Sequence, residues 1–124
     1  MDNLRELDAF LARHDDIVRV EVVRARGSAP RDAGTEMLVA RDSILGTIGG
    51  GQLEYMAIDE ARALLARGED EGRMDVPLGP EIGQCCGGRV AISLARLDDE
   101  GRASLRAAVA RRNDERPEVL VFGA

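Results

Sequence analysis

Two adjacent cysteines, Cys85 and Cys86, have the most distinctive chemistry in this sequence. They lie between Gly83 and the pair Gly87-Gly88, so they sit in a segment where a ligand could approach the backbone closely. Adjacent Cα atoms are about 3.8 Å apart across a trans peptide, less than the separation of about 4.4 Å at which disulfides usually begin. Zinc would need further Cys or His ligands, which the segment lacks. We therefore expect reduced thiols that serve as soft metal ligands or as persulfide carriers.

A second glycine-rich segment, residues 46–54, lies between a strand pattern and a helix pattern. A strand, a glycine loop and a helix start in that order bring backbone N–H groups against an anion. The segment is not G-x-G-x-x-G, and no Lys-Ser or Lys-Thr follows it, so the dinucleotide and P-loop signatures do not apply. We predict that it forms a ligand site from seven residues: Gly46, Thr47, Gly49, Gly50, Gly51, Gln52 and Glu54. Alternatively, Glu54 serves only the helix dipole.

A third segment, Gly27-Ser28-Ala29-Pro30-Arg31, is rich in turn formers. Ser28 and Arg31 could offer a hydroxyl and a guanidinium to an oxyanion. The alternative is that Ser28 only forms a turn and that Arg31 only forms a local salt bridge. We predict that this segment, the 46–54 segment and the cysteine segment meet in space.

Several classes of enzyme are excluded by the residues that are missing. His14 is the only histidine, and it stands beside two aspartates. A Ser-His-Asp triad or a histidine-rich metal site is therefore not expected. The sequence predicts a binding or carrier function more readily than hydrolysis.

The hydrophobic spacing predicts an α+β fold with a mixed, largely antiparallel sheet, two main helices and a shorter third helix. Turn residues and glycines bound the elements. The predicted helices cover residues 3–14, 52–67 and 103–112, and the predicted strands cover residues 17–25, 35–41, 43–48, 73–78 and 89–97. Residues 1–116 are predicted to form one domain. Residues 117–124 resemble the first strand of a Rossmann-like domain, cut off at its glycine motif.

The overall composition limits the partners of the chain. A net charge of −6 and only three aromatic residues argue against nucleic-acid binding. The polar start and the lack of a long apolar stretch predict a cytoplasmic protein without membrane contact. Aliphatic surface left exposed by an incomplete second domain would favour self-association, so we expect a homo-oligomer, with a homodimer as the simplest form.

Taken together, the three segments resemble the XdhC/CoxI family of molybdenum-cofactor maturation factors. The matching residues are the 27–31 loop with Gly34 after it, the 46–54 segment, and Gly83-Gln84-Cys85-Cys86-Gly87-Gly88. They follow the family's order and cover about the central two-thirds of the chain. The sequence departs from the family by stopping at Gly123-Ala124, where a Rossmann-like domain usually begins.

The resemblance implies a chaperone and not an enzyme. Family members hold the molybdenum cofactor while a cysteine desulfurase supplies its sulfido ligand, and then deliver it to apo-xanthine dehydrogenase. Molybdenum-cofactor biosynthesis proteins are further implied partners. On this reading the 46–54 segment and Arg31 receive the pterin phosphate, and Cys85 or Cys86 contacts molybdenum or relays sulfur. NAD or FAD binding is not expected in this chain.

Two other functions fit the same residues. The first is a nucleotide-binding redox or regulatory module that uses Cys85 and Cys86 as a thiol switch, with affinity for NAD or FAD. The second is an interaction domain that binds only partner proteins. Retention of molybdenum cofactor, nicotinamide nucleotide or flavin nucleotide after desalting would distinguish the three functions.

Overall fold

The computed structural model of the chain describes residues 3–27, 35–77 and 88–114. These ranges contain three helices, α1 (Leu4–Arg13), α2 (Gly51–Arg67) and α3 (Asp99–Asp114). They also contain five strands, β1 (Ile17–Gly27), β2 (Glu36–Ala40), β3 (Ile44–Gly46), β4 (Glu71–Pro77) and β5 (Gly88–Arg96). The predicted α+β class is confirmed. Residues 115–124, with the predicted Rossmann-like strand, lie outside the described ranges.

The five strands form one sheet in the order β3-β2-β1-β5-β4. All four pairings between neighbours are antiparallel in the described residues, so the parallel pairing expected of a mixed sheet is not found there. The reason is the path of α2, which returns the chain so that β4 runs parallel to β3. Because β2, β1 and β5 separate these two strands, their parallel relationship joins opposite edges and not neighbours.

Helix α2 packs on one face of the sheet. Its buried stripe contains Leu53, Ala57, Ala61 and Leu64 at helical spacing. Alternate residues of the strands meet this stripe, because successive side chains of a strand point to opposite faces. The strand side of this first core contains Val18, Val20, Val22, Met37, Val39, Val90, Ile92 and Leu94.

Helices α1 and α3 cover the opposite face and contact one another. Ile17 and Leu38 adjoin residues of the first core along their strands, so their side chains point to the opposite face, toward these helices. Phe10 of α1 and Val109 of α3 complete this second core and are buried. The sheet therefore lies between α2 on one side and the α1–α3 pair on the other.

Helix α3 is longer than predicted. It has 16 residues against 10 for α1, so it is not the shorter helix that the sequence suggested. Asp98 explains the difference: its carboxylate accepts a hydrogen bond from the Gly101 N–H at 2.7 Å. An Asp in this position is a helix N-cap. The acidic run that resembles a turn is in fact the cap and first turn of the helix.

Strand β4 begins at Glu71, two residues before the predicted start at residue 73. Gly68 ends α2 in the left-handed conformation, and Glu71 and Gly72 already belong to β4. Among the described residues, no helix combines the length and the apolar character needed to cross a bilayer.

Candidate functional site

The strands deliver two of the three predicted segments to one end of the sheet. Gly27, the last residue of β1, pairs with Gly88, the first residue of β5. Pro77, the last residue of β4, pairs with Arg89. The segments 28–34 and 78–87 therefore leave the sheet from neighbouring positions. The predicted site residues Ser28, Arg31, Cys85 and Cys86 belong to these segments and lie outside the described residues.

The 46–54 segment leaves β3 in the direction in which the chain also leaves β1, but it does so at a level nearer the start of β1. Gly46 pairs with Met37, which pairs with Val20 of β1. Gly27 lies seven residues beyond Val20, which corresponds to about 23 Å along a regular strand. The stagger arises because β1 continues past β2 and pairs there with β5, across a β-bulge between Val22 and Arg24.

The segment 28–34 connects these two levels. It begins after Gly27, beside the start of β5, and it ends at Thr35, whose carbonyl oxygen accepts a hydrogen bond from the Val22 N–H at 2.8 Å. Thr35 is two residues from Met37, the strand partner of Gly46. The topology thus attaches segments 28–34 and 78–87 to the paired ends of β1 and β5, and it connects segment 28–34 to the level at which the 46–54 segment leaves β3.

The glycine segment is organised around the carboxylate of Glu54. Its Oε1 atom accepts hydrogen bonds from the backbone N–H of Ile48 at 3.1 Å and of Gly50 at 2.9 Å. The Thr47 hydroxyl donates to the same oxygen and accepts from the Gly49 N–H at 3.0 Å. One carboxylate oxygen therefore holds three donors of the loop that precedes its own helix.

The backbone of this loop requires glycine. Positive φ angles occur at Gly46, Gly49, Gly50 and Gly51, with values of 85°, 123°, 77° and 74°. Side chains with a Cβ rarely adopt such angles. The run of glycines thus has a conformational cause in addition to any ligand that it binds.

Ile48 fixes the loop to the body of the protein. Its side chain is fully buried and belongs to the same core under α2 as Met37 and Leu53. The sequence predicts Ile48 as the last residue of strand 43–48, but β3 ends at Gly46, so Ile48 lies in the loop. The sequence signal for this packing role is a single aliphatic residue among glycines, because a loop that does not pack on the core would need no aliphatic side chain.

The hydrogen bonds to Glu54 change the anion site that the sequence suggests. The N–H of Gly50, a predicted site residue, donates to Glu54, as does the N–H of Ile48, so neither points freely toward a phosphate. The first turn of α2 is the part of the predicted anion site that Glu54 leaves in place, since the first N–H groups of a helix have no partner within it and Gly50 has no side chain to cap them. Gly51 and Gln52 are exposed there.

An exposed aromatic ring lies next to the glycine loop. Tyr55, in the first turns of α2, has 68% of its surface exposed. It is the only tyrosine of the chain. Its position would allow a planar ligand held at the helix start to contact the ring.

Within the described ranges, no group of three or more His, Cys, Asp or Glu side chains is arranged to hold a metal ion. Both cysteines lie outside these ranges. The predicted thiol contact to molybdenum is therefore neither supported nor opposed by the described geometry.

Comparison with known proteins identifies relatives of this fold and sequence. A model of the XdhC and CoxI family matches residues 10–76, more than half of the chain. The uncharacterized protein YqeB of Escherichia coli K12 is 33% identical over 78 residues. That match covers 60% of this chain and 14% of YqeB.

A solved structure shares the fold. The crystal structure of a xanthine dehydrogenase from Bacillus halodurans superimposes with a TM-score of 0.66 and 19% identity. The match covers 90% of this chain and 35% of that one. The chain thus corresponds to a minor part of each of these longer proteins.

Proposed function

Since the chain belongs to the XdhC and CoxI family, we propose that it acts in the maturation of xanthine dehydrogenase as a molybdenum-cofactor chaperone. It holds the cofactor, protects it during sulfuration and delivers it to the apo-enzyme. The observation that carries the proposal is the attachment of segments 28–34 and 78–87 to the paired ends of β1 and β5, together with the return of segment 28–34 to Thr35, two residues before the strand partner of Gly46. The likeness to a structure described as a xanthine dehydrogenase agrees with this assignment.

The residues of the chain divide the binding between a phosphate end and a metal end. The N-terminus of α2, with Gly51 and Gln52, receives the phosphate of the pterin, and Arg31 neutralises its charge. Cys85 and Cys86 hold the metal end, because thiolates are soft ligands. When bound, the cofactor supplies the molybdenum centre of the target enzyme, and the chain only stores and orients it.

The glycine loop has a supporting function in this proposal. Glu54 keeps the loop in one conformation, and Ile48 attaches it to the core. A preformed loop loses little conformational entropy when the ligand binds. The start of α2 is therefore held ready for the phosphate before the cofactor arrives.

The proposed partners follow from this function. They are a cysteine desulfurase that supplies sulfur, the proteins that synthesise the cofactor, and the apo-dehydrogenase that receives it. The chain has no turnover reaction of its own in this proposal.

A retention assay tests the proposal. The protein is incubated with molybdenum cofactor, desalted, and assayed for molybdenum and pterin in the protein fraction. We expect stoichiometric retention by the wild type and reduced retention by the Cys85→Ala/Cys86→Ala variant. Ser43→Ala, in the turn between β2 and β3 at the opposite end of the sheet, is the matched control and retains the wild-type amount.

Two results would contradict the proposal. One is the failure of folded wild-type protein to retain either molybdenum or pterin. The other is retention of NAD or FAD in parallel incubations with no retention of molybdenum cofactor, which would favour the redox or regulatory module. Undiminished retention and protection of sulfurated cofactor by the double cysteine variant would remove the thiols from the site but leave the phosphate end.

A further inference from the structure

Strand β4 forms one edge of the described sheet. Its seven residues pair with β5 on one side, and no described strand pairs with its other side. The opposite edge, β3, has only three residues. An unpaired edge is a template for another strand, so β4 is the longer of the two surfaces available for strand addition.

The direction of the hydrogen bonds along β4 follows from one contact. The carbonyl oxygen of Asp70 accepts a hydrogen bond from the Arg96 N–H at 2.8 Å, which is directed toward β5. In an antiparallel ladder, alternate residues direct their N–H and C=O groups to the same neighbour. Gly72, Met74 and Val76 therefore bond to β5. The N–H and C=O groups of the odd-numbered residues point away from the sheet.

Charges alternate along these odd-numbered positions. Glu71, Arg73 and Asp75 are all exposed. Asp75 forms an ion pair with Arg89 at 3.3 Å, with both side chains about half exposed. Arg73 has no ion pair within the described part of the chain. The outer edge thus has the charge order negative, positive, negative.

Arg73 and Asp75, on either side of Met74, have opposite charges, and we propose that a second copy of the chain pairs with β4 in an antiparallel arrangement about a two-fold axis through Met74. In this register Arg73 lies opposite Asp75 of the second copy, and Asp75 lies opposite its Arg73. Each such pair joins two outward-facing residues, so both backbone hydrogen bonds of the pair can form. The dimer would contain a continuous sheet of ten strands.

Neighbouring registers are less favourable. An axis through Arg73 places like charges opposite each other at every outward position, which destabilises cross-strand pairs. An axis through Asp75 brings two aspartates together. An axis through Gly72 also pairs opposite charges, but only residues 71–73 then face β4 of the second copy, and residues 74–77 lie outside the ladder. The Met74 register alone uses the whole strand with opposite charges facing.

The inner face of β4 suits the same register. Met74 is half-buried against the core under α2, and it would meet Met74 of the second copy. Gly72 would lie opposite Val76, so a residue without a side chain faces a β-branched one. Pro77 has no N–H, and it lies at the last position of the ladder, where one hydrogen bond per chain is lost.

Sedimentation of charge variants tests this interface. We expect the wild type to form a concentration-dependent dimer. Arg73→Asp and Asp75→Arg each replace two attractive cross-strand pairs with two repulsive ones. Each variant should therefore weaken the homodimer by about tenfold or more. An equimolar mixture of the two variants should regain the dimer, because every outward pair is then Asp against Arg.

Matched controls change the same charge elsewhere. Arg5→Asp on α1 and Asp59→Arg on α2 are exposed positions away from β4, and both should dimerise as the wild type does. Circular dichroism verifies that each variant is folded. Arg73→Pro is an independent test, since it removes an outward N–H that has no bond to β5, and it should also abolish the dimer.

Three results would overturn the interface. The first is a wild type that stays monomeric at all accessible concentrations. The second is Arg73→Asp or Arg73→Pro protein that dimerises as tightly as the wild type. The third is a mixture of Arg73→Asp and Asp75→Arg that stays monomeric while the wild type dimerises.

Discussion

The Oε1 atom of Glu54 lies 2.9 Å from the backbone nitrogen of Gly50 and accepts its hydrogen bond. Glu54 is four residues further along the chain, in the first turns of α2. The helix thus supplies an anion to the loop that leads into it. This contact makes the glycine loop a stable structural element before any ligand binds.

Removing that anion should destabilise the protein. Glu54→Ala leaves three donors without their acceptor, those of Thr47, Ile48 and Gly50. We expect the free energy of unfolding in urea to fall by about 1–3 kcal/mol. Glu60→Ala, which removes an exposed ion pair with Arg67, should cost less than about 1 kcal/mol. Equal losses in the two variants would show that Glu54 does not support the loop.

Two glycines with positive φ should differ in their tolerance of a side chain. Gly50 has φ 77° and ψ −174°, whereas Gly68 has φ 71° and ψ 25°. No atom lies within 4 Å of an added Cβ at either position, so only backbone strain contributes. Gly68→Ala should cost about 1 kcal/mol and Gly50→Ala about 2–3 kcal/mol, because its conformation is nearly restricted to glycine. Chemical denaturation of both variants checks the order, which a larger loss for Gly68→Ala would contradict.

Arg102 should be a stabilising residue of the second core. Its guanidinium, at the start of α3, donates to the carbonyl oxygens of Leu11, His14 and Asp15 at 2.8–2.9 Å. These oxygens lie at and after the end of α1, where carbonyl groups lack helical partners. Arg102→Met should lower the free energy of unfolding by about 1–3 kcal/mol.

Lysine should not restore this interaction. An ammonium group cannot reproduce the planar fork that reaches three oxygens at once. We therefore expect Arg102→Lys to recover less than half of the loss, measured in the same urea titration. Full recovery would show that charge alone, and not the geometry of the guanidinium, connects α3 to α1.

Asp16 should make stability depend on acid pH. The hydrogen bond from Arg41 at 3.1 Å, with the charge of Arg96, lowers the pKa of the Asp16 carboxyl below its ordinary value. A carboxyl with a lowered folded-state pKa stabilises the fold above its unfolded pKa, about 3.9, and this contribution is lost as the pH falls through the folded pKa. The wild type should therefore be more stable than Asp16→Asn at neutral pH.

The difference between these two proteins should shrink below about pH 4. Thermal unfolding measured from neutral to acid pH checks this course. High salt should reduce the neutral-pH difference, because it screens exposed charges. A difference that grows on acidification would contradict the assignment.

The elements of the fold could be predicted from periodicity because their apolar faces are regular. Leu53, Ala57 and Leu64 mark α2 at helical spacing, and Val18, Val20 and Val22 mark β1 by alternation. The start of α3 could not be predicted in this way, because an aspartate followed by acidic residues and glycine is as typical of a turn as of a helix N-cap. Only the contact from Asp98 to Gly101 distinguishes the two.

The strand order is not contained in local patterns. An alternating strand has the same sequence signature whether its neighbour is parallel or antiparallel, so the pairing of β1 with β5 required the structure. The family resemblance is confirmed over residues 10–76. For the candidate site, the glycine segment could be recognised from the sequence. The hydrogen bonds from its N–H groups to Glu54 could not be predicted, because they depend on the backbone angles of the loop.

The pairing of Gly27 with Gly88 joins the attachment points of two segments. In an antiparallel ladder, directly opposed Cα atoms lie about 4.5–5.5 Å apart. Proteins open locally in contiguous cooperative units, and the far ends of β1 and β5 belong to one ladder. A fluctuation that parts these two ends therefore releases the attachment points of segments 28–34 and 78–87 in one event, so the exchange of the backbone amides at the two strand ends with solvent should be synchronous.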